Sequence, residues 1–218
     1  ISGDIYSLSK YLLEEVLMKQ SRKYQEMLLI TSILNRFCPD LIDSITTDMV
    51  GKEEVSNGNE FVNWLIKSNL FVIPLDNQGI WFRYHHLIQD LLKKLFKDHK
   101  TDKQIAAAHY NASIWFEQNG FIEEAIMHML DAGNQIEACN IIERYRIAEL
   151  NSDDWFVIQR WLQMIPEELK ITRPELLLSE AWGAYENFNI EKIAMLLDLI
   201  KPLLNKSKGF NVLWGEFH

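Results

Sequence analysis

Along most of this chain, apolar residues recur every three or four positions, the signature of amphipathic helices. Tyr11, Leu12, Val16 and Met18 mark a helix over about Ser7–Lys19, and Met27, Leu28, Ile30, Ile33 and Leu34 mark a second over Tyr24–Asn35. Pro39 suits the first turn of a short third helix, about Pro39–Thr46, where its missing N–H costs nothing. A polar break, Glu53–Asn59, precedes a fourth helix that Asn59 is placed to cap, running through Ser68 with Phe61, Val62, Leu65 and Ile66 inward. The pattern then changes. Leu70–Pro74 and Ile80–Tyr84 read as strands joined by Asp76-Asn77-Gln78-Gly79, whose Asn and Gly tolerate the positive φ of a tight hairpin turn. His85 and His86 open the next helix, His85–Lys97, with Leu87, Ile88, Leu91, Leu92, Leu95 and Phe96 on its apolar side.

Helices followed by a two-stranded wing are the order of a winged helix. An isolated hairpin is marginal in water, so its aromatic face (Phe71, Trp81, Tyr84) is expected to pack on the helices. In a DNA-reading winged helix, the helix before the wing contacts bases. Here that helix offers Glu60, Asn63, Trp64, Lys67 and Ser68, and the wing only Arg83, which points to a structural or regulatory winged helix.

From Thr101 the pattern is purely helical, with helices predicted at about 102–119, 122–132, 135–149, 153–164, 174–187 and 190–204. Three helix pairs follow. Ala125 and Ala194 lie 69 positions apart, close to twice the roughly 34-residue tetratricopeptide period, and small residues there would let paired helices approach closely. The prediction is a mainly α fold: a winged-helix regulatory domain over 1–100, then a TPR-like α-solenoid over 101–218.

Composition narrows the functions. With 48% hydrophobic and 24% charged residues, the 218-residue chain has the makeup of a soluble globular protein, and no apolar run approaches a membrane span. The net charge of −9 is uneven: residues 1–100 carry 12 Lys/Arg against 13 Asp/Glu, and residues 101–218 carry 10 against 18. Neither half has the basic surface that phosphate neutralisation requires, so direct nucleic-acid binding is not expected. Cys38 and Cys139 sit in apolar surroundings and read as buried thiols in a reducing compartment, the cytoplasm. A start at Ile-Ser-Gly-Asp and an apolar end at Phe210–His218 read as the limits of a piece of a longer protein.

For chemistry the histidine pair is the leading candidate. On the residues alone, His85 and His86 read as wing-to-helix residues satisfied by backbone groups. His85, His86, His99, His109 and His128 lack the spacing of zinc sites, and adjacent histidines point to different helix faces. Ser, His and Asp residues occur with no elbow or strand-turn-helix context for a nucleophile and its base. Gly51-Lys52 lacks the preceding glycine and strand of a phosphate loop. Trp115, Trp155, Trp161 and Trp182 read as mostly core, and Glu123, Glu124, Glu167 and Glu168 as solvated or first-turn residues. No enzymatic activity is expected of this chain.

Several stretches carry a family resemblance: Tyr11–Leu17, Leu28–Leu34, Leu70–Pro74, Trp81-Phe82-Arg83-Tyr84-His85-His86-Leu87, Glu124-Ala125-Ile126, Trp161-Leu162, Ile165–Leu169 and Arg173–Leu176. Over about residues 2–204 they resemble the segment after the nucleotide-binding domain of MalT-type transcriptional activators. These are bacterial LuxR-family regulators of the STAND class of signalling ATPases. The resemblance implies a parent protein that binds ATP or ADP in its own ATPase domain and DNA through a LuxR-type domain. It implies helical repeats that bind an inducer, a small molecule or a regulatory protein. In related switches, a histidine at the start of the last winged-helix helix reaches the phosphates of bound ADP and locks the resting state. The matching position is His85, and His86 reads as a bystander. The chain itself would carry no cofactor, bind no DNA and touch no membrane. The alternative is a free-standing TPR-like scaffold that shares the architecture without nucleotide switching.

Overall fold

The computed structural model describes residues 19–46, 57–68, 72–152 and 155–204. The helix expected over Ser7–Lys19 lies almost wholly outside them, as do Phe71 and the start of the first strand. The chain divides after Asn119 into two compact units, Ile1–Asn119 and Gly120–His218.

The first unit opens with α1 (Arg22–Thr31) and α2 (Pro39–Thr46). Helix α1 stops four residues short of the expected Asn35. Thr31 Oγ1 donates back to the Met27 carbonyl at 2.6 Å and Ser32 Oγ to that of Leu29 at 2.6 Å. Such hydroxyls compete with the next backbone donors and close the helix. Helix α3 spans Gly58–Lys67 and is capped by Asn57 rather than Asn59: the Asn57 side chain accepts from the Glu60 N–H at 3.0 Å. The Gly58 N–H donates to Asp43 Oδ1 at 2.7 Å. A Cβ on Gly58 would sit 2.1 Å from the Pro39 carbonyl oxygen, so the starts of α2 and α3 meet where only glycine fits.

Strands β1 (Val72–Pro74) and β2 (Phe82–Tyr84) form the antiparallel wing, with Val72 opposite Tyr84 and Pro74 opposite Phe82. The Asp76 carboxylate accepts from the backbone N–H groups of Gln78, Ile80 and Trp81 at 2.7–3.0 Å, and Gly79 supplies φ +68°. The Ile80 and Trp81 donors hold the Asp76 pKa below its ordinary value. Phe37 exchanges two backbone hydrogen bonds with Phe82, at 2.8 and 2.9 Å, adding extended chain beside β2. The aromatic face differs from expectation. Alternation along β2 buries Phe82 and Tyr84 together and exposes Arg83, which puts Trp81 on the other parity, half-buried.

Helix α4 (His86–His99) buries Ile88, Leu91, Leu92 and Phe96. A capping box between Thr101 and Gln104 starts α5 (Asp102–Gln118), whose Ala108, Ala112 and Phe116 are buried. Helix α5 packs on α2 and α4. By its contacts it belongs with the winged helix, so this unit runs to Asn119 whereas the sequence pattern changes near residue 100.

The second unit comprises α6 (Ile122–Asp131), α7 (Gln135–Asn151), α8 (Trp155–Met164), the single turn α9 (Glu167–Lys170), α10 (Pro174–Glu186) and α11 (Ile190–Leu204). The five helices predicted here match α6, α7, α8, α10 and α11 to within two residues, except that the expected start of α8 at 153–154 lies outside the described residues; α9, at four residues, carries no period. The packing is closest within the pairs α6–α7 and α10–α11. Leu177, Leu178, Ala181, Leu196, Ile200 and Leu204 form the core of the latter. Ala125 is buried as expected, but Ala194 is exposed, so the 69-residue spacing does not mark equivalent packing. The equivalent features are the turns. Gly133 (φ +77°) and Phe188 (φ +55°) both end their helices in the left-handed region, and Asn134 and Asn189 then cap the next ones. Among the described residues no helix is long and apolar enough to cross a membrane.

Candidate functional site

His85 sits where the wing hands over to α4. Its φ of −61° and ψ of 134° are extended, which places it outside the helix as the N-cap residue. Its carbonyl accepts from the N–H groups of Ile88 and Gln89, each at 3.0 Å, while its imidazole makes no capping hydrogen bond. The ring is half-buried, that of His86 is exposed, and the two centroids lie 4.4 Å apart at 32°. The pair does not splay to opposite sides; the rings lie against each other.

Electrostatically this end of α4 favours an anion. The helix macrodipole is positive there, and none of His86, Leu87 or Ile88 is acidic to neutralise it. Lys97 and His99 occupy the last turn, where cations belong. An imidazole N–H beside first-turn backbone donors is a combination able to hold a phosphate or carboxylate oxygen.

The surroundings of His85 come from residues remote in sequence. The buried Tyr84 hydroxyl shares a hydrogen bond with Thr31 Oγ1 at 2.7 Å, and burial pushes its phenol pKa far up. Gln89 Nε2 donates to the carbonyls of Ser32 at 3.1 Å and Leu34 at 2.8 Å. Trp81 carries the Arg36 guanidinium 4.6 Å above its ring and meets Trp115 edge-on at 6.1 Å. On sequence grounds Tyr84 and Trp81 share the hairpin's aromatic face, and neither is paired with Thr31 or Arg36. Phe82 was within reach, because strict alternation pairs it with Tyr84; Gln89 and Thr31 carry no local signal.

The face that a DNA-reading winged helix would present exposes Asn59, Glu60, Asn63, Ile66 and Lys67 on α3 and Arg83 on the wing. Of the tryptophans expected in the core, Trp161 is buried, Trp115 and Trp155 are half-buried and Trp182 is exposed. Glu123 pairs with Arg160 at 2.6 Å and Glu167 with Lys170 at 2.6 Å. Cys38 and Cys139 are buried free thiols, and burial raises both pKa values.

Three helices and a wing, followed by paired helices, define a winged-helix module and a helical segment after it. Comparison with known families makes this specific: the MalT winged helix domain matches residues 13–104. The likeness extends further along the chain. It is 26% identical over 211 residues to the HTH-type transcriptional regulator MalT of Cronobacter sakazakii, covering 97% of this chain and 22% of that protein. To MalT of Yersinia enterocolitica it is 25% identical over 201 residues, 92% of this chain and 21% of that protein. To the serine/threonine-protein kinase PknK of Mycobacterium tuberculosis it is 25% identical over 183 residues, 84% of this chain and 16% of the kinase. Residues 13–104 thus match the MalT winged helix domain, and the chain spans about a fifth of the length of these relatives.

Proposed function

We propose that this chain is the regulatory middle of a larger bacterial transcriptional regulator. Its winged helix gates a nucleotide switch: His85, at the positive end of α4, donates to a phosphate oxygen of ADP held by an ATPase domain elsewhere in the protein. The helical pairs receive an inducer, either a small molecule or a regulatory protein, and a LuxR-type domain elsewhere binds DNA. The chain itself hydrolyses nothing and binds no nucleic acid, and it works in the cytoplasm. The observation that carries the reading is the half-buried His85 imidazole, which makes no capping bond, at a helix start without acidic residues.

The similarity to PknK favours a second reading of the output. A segment similar to this chain accompanies a kinase there, so the switch would be general and the effector domain interchangeable. In the full-length protein, His85→Ala is expected to speed ADP release and raise basal transcription without inducer. Unchanged ADP release together with unchanged basal output would overturn the gating role. A phosphate-loop sequence upstream in the gene and a basic helix-turn-helix downstream support the transcriptional reading; a free-standing helical scaffold would have neither.

A further inference from the structure

Four residues flanking His85 fasten to one short stretch, the end of α1 and the turn that follows it. Trp81 lies under Arg36, Phe82 pairs its backbone with Phe37, Tyr84 shares its hydroxyl with Thr31, and Gln89 reaches the carbonyls of Ser32 and Leu34. His85 is bracketed, and the most direct link runs through Gln89. Its backbone N–H donates to the His85 carbonyl at 3.0 Å, while both donors of its side-chain amide serve the turn at 3.1 and 2.8 Å. Those carbonyls follow the end of α1, where backbone acceptors lack helical partners. One residue therefore ties the first turn of α4 to a fixed point in the core, 55 and 57 positions back in sequence.

We propose that Gln89 is a positioning residue for His85, which holds the imidazole in the orientation that meets the nucleotide phosphate. This rests on the nucleotide reading of His85. Without the amide, α4 keeps its apolar anchors Ile88, Leu91 and Leu92, but its first turn is free to rotate and shift. Since a donor must lie within hydrogen-bond reach of the phosphate oxygen, small displacements there weaken it disproportionately. The backbone contact at His85 survives substitution, so the side chain can be tested alone.

The test is a double-mutant cycle in the full-length protein, read as the dissociation rate of fluorescently labelled ADP. Gln89→Met keeps the stem and removes both donors; Gln89→Ala is the second variant should the first misfold, with melting temperature as the check. We expect Gln89→Met to speed release about threefold or more in the native background, the worth of a lost hydrogen bond, and to change nothing further once His85→Ala is present. Equal acceleration in both backgrounds, or no acceleration in either, overturns the positioning role. His85→Ala alone distinguishes the two levels: if it leaves ADP release unchanged, the nucleotide reading itself fails; if it speeds release while Gln89→Met acts identically in both backgrounds, only the positioning proposal fails.

Discussion

The two units hold themselves together by contacts of different reach. In the first, the decisive polar contacts join residues far apart in sequence: Tyr84 with Thr31 over 53 positions, Gln89 with Ser32 over 57, and Lys100 with Glu26 over 74. In the second, Arg173 reaches Asn140 and Glu143 over 33 and 30 positions, and Arg160 reaches Glu123 over 37. A hairpin inserted among helices must be docked by chain from elsewhere, because its own two strands supply too little burial. Paired helices joined by three-residue turns mostly pack on the next element along. One unit depends on a few irreplaceable positions, and the other spreads its stability over many.

Gly58 is the sharpest place to break the first unit. Gly58→Ala forces a methyl to within 2.1 Å of the Pro39 carbonyl oxygen, a clash with backbone that has no flexible end to yield. A loss of about 3 kcal/mol is expected, at the upper end for overpacking. Hydrogen-exchange mass spectrometry should show amides throughout α1–α5 exchanging faster while those of α6–α11 keep their rates. Equal loosening of both units would mean that they do not fold independently and would undo the comparison.

In the second unit the largest single loss should come at Arg173. It donates to Asn140 at 2.8 Å and to Glu143 at 2.7 Å, and burial raises the Glu143 pKa even with the guanidinium beside it. Arg173→Met leaves a half-buried carboxylate without its partner and should cost about 2 kcal/mol, below the value for a fully buried pair. The sign of the pH dependence follows from the same geometry. A raised carboxyl pKa means that the folded state holds the proton more tightly, so stability falls as pH rises from the ordinary Glu value through the folded one. Removing Arg173 should raise the Glu143 pKa further and carry that decline to higher pH. Urea titrations of wild type and variant at several pH values would measure it; a pH-independent difference would count against the ion pair as the cause.

The smallest effect should come from the paired turns, and it should be a gain. Phe188 occupies the left-handed conformation that Gly133 adopts in the equivalent turn, and its side chain is 89% exposed. Left-handed backbone costs a side-chain-bearing residue about 1–2 kcal/mol, against a smaller entropic penalty for glycine. Phe188→Gly is therefore expected to stabilise the unit by about 0.5–1 kcal/mol, and Gly133→Ala to destabilise it by a similar amount. If Phe188→Gly destabilises instead, the ring makes contacts worth more than the strain.

By itself the sequence determined the local structure: helices from apolar period, the hairpin from alternation around Asp76–Gly79, and His85 at a helix start. Those features depend on residues within a turn or two of one another, so a linear reading captures them. The winged-helix order and the family resemblance followed from the same stretches. Tertiary structure decided the rest. Asn57 caps α3 in place of Asn59 because Gly58 must fit against Pro39. Helix α5 joins the first unit because its alanines let it close on α2, and Gln89 becomes the brace of His85 because the end of α1 leaves carbonyls open beside it. Each of these outcomes turns on a partner outside the local stretch, often dozens of residues away. Periodicity carries no record of such a partner, and only packing selects it.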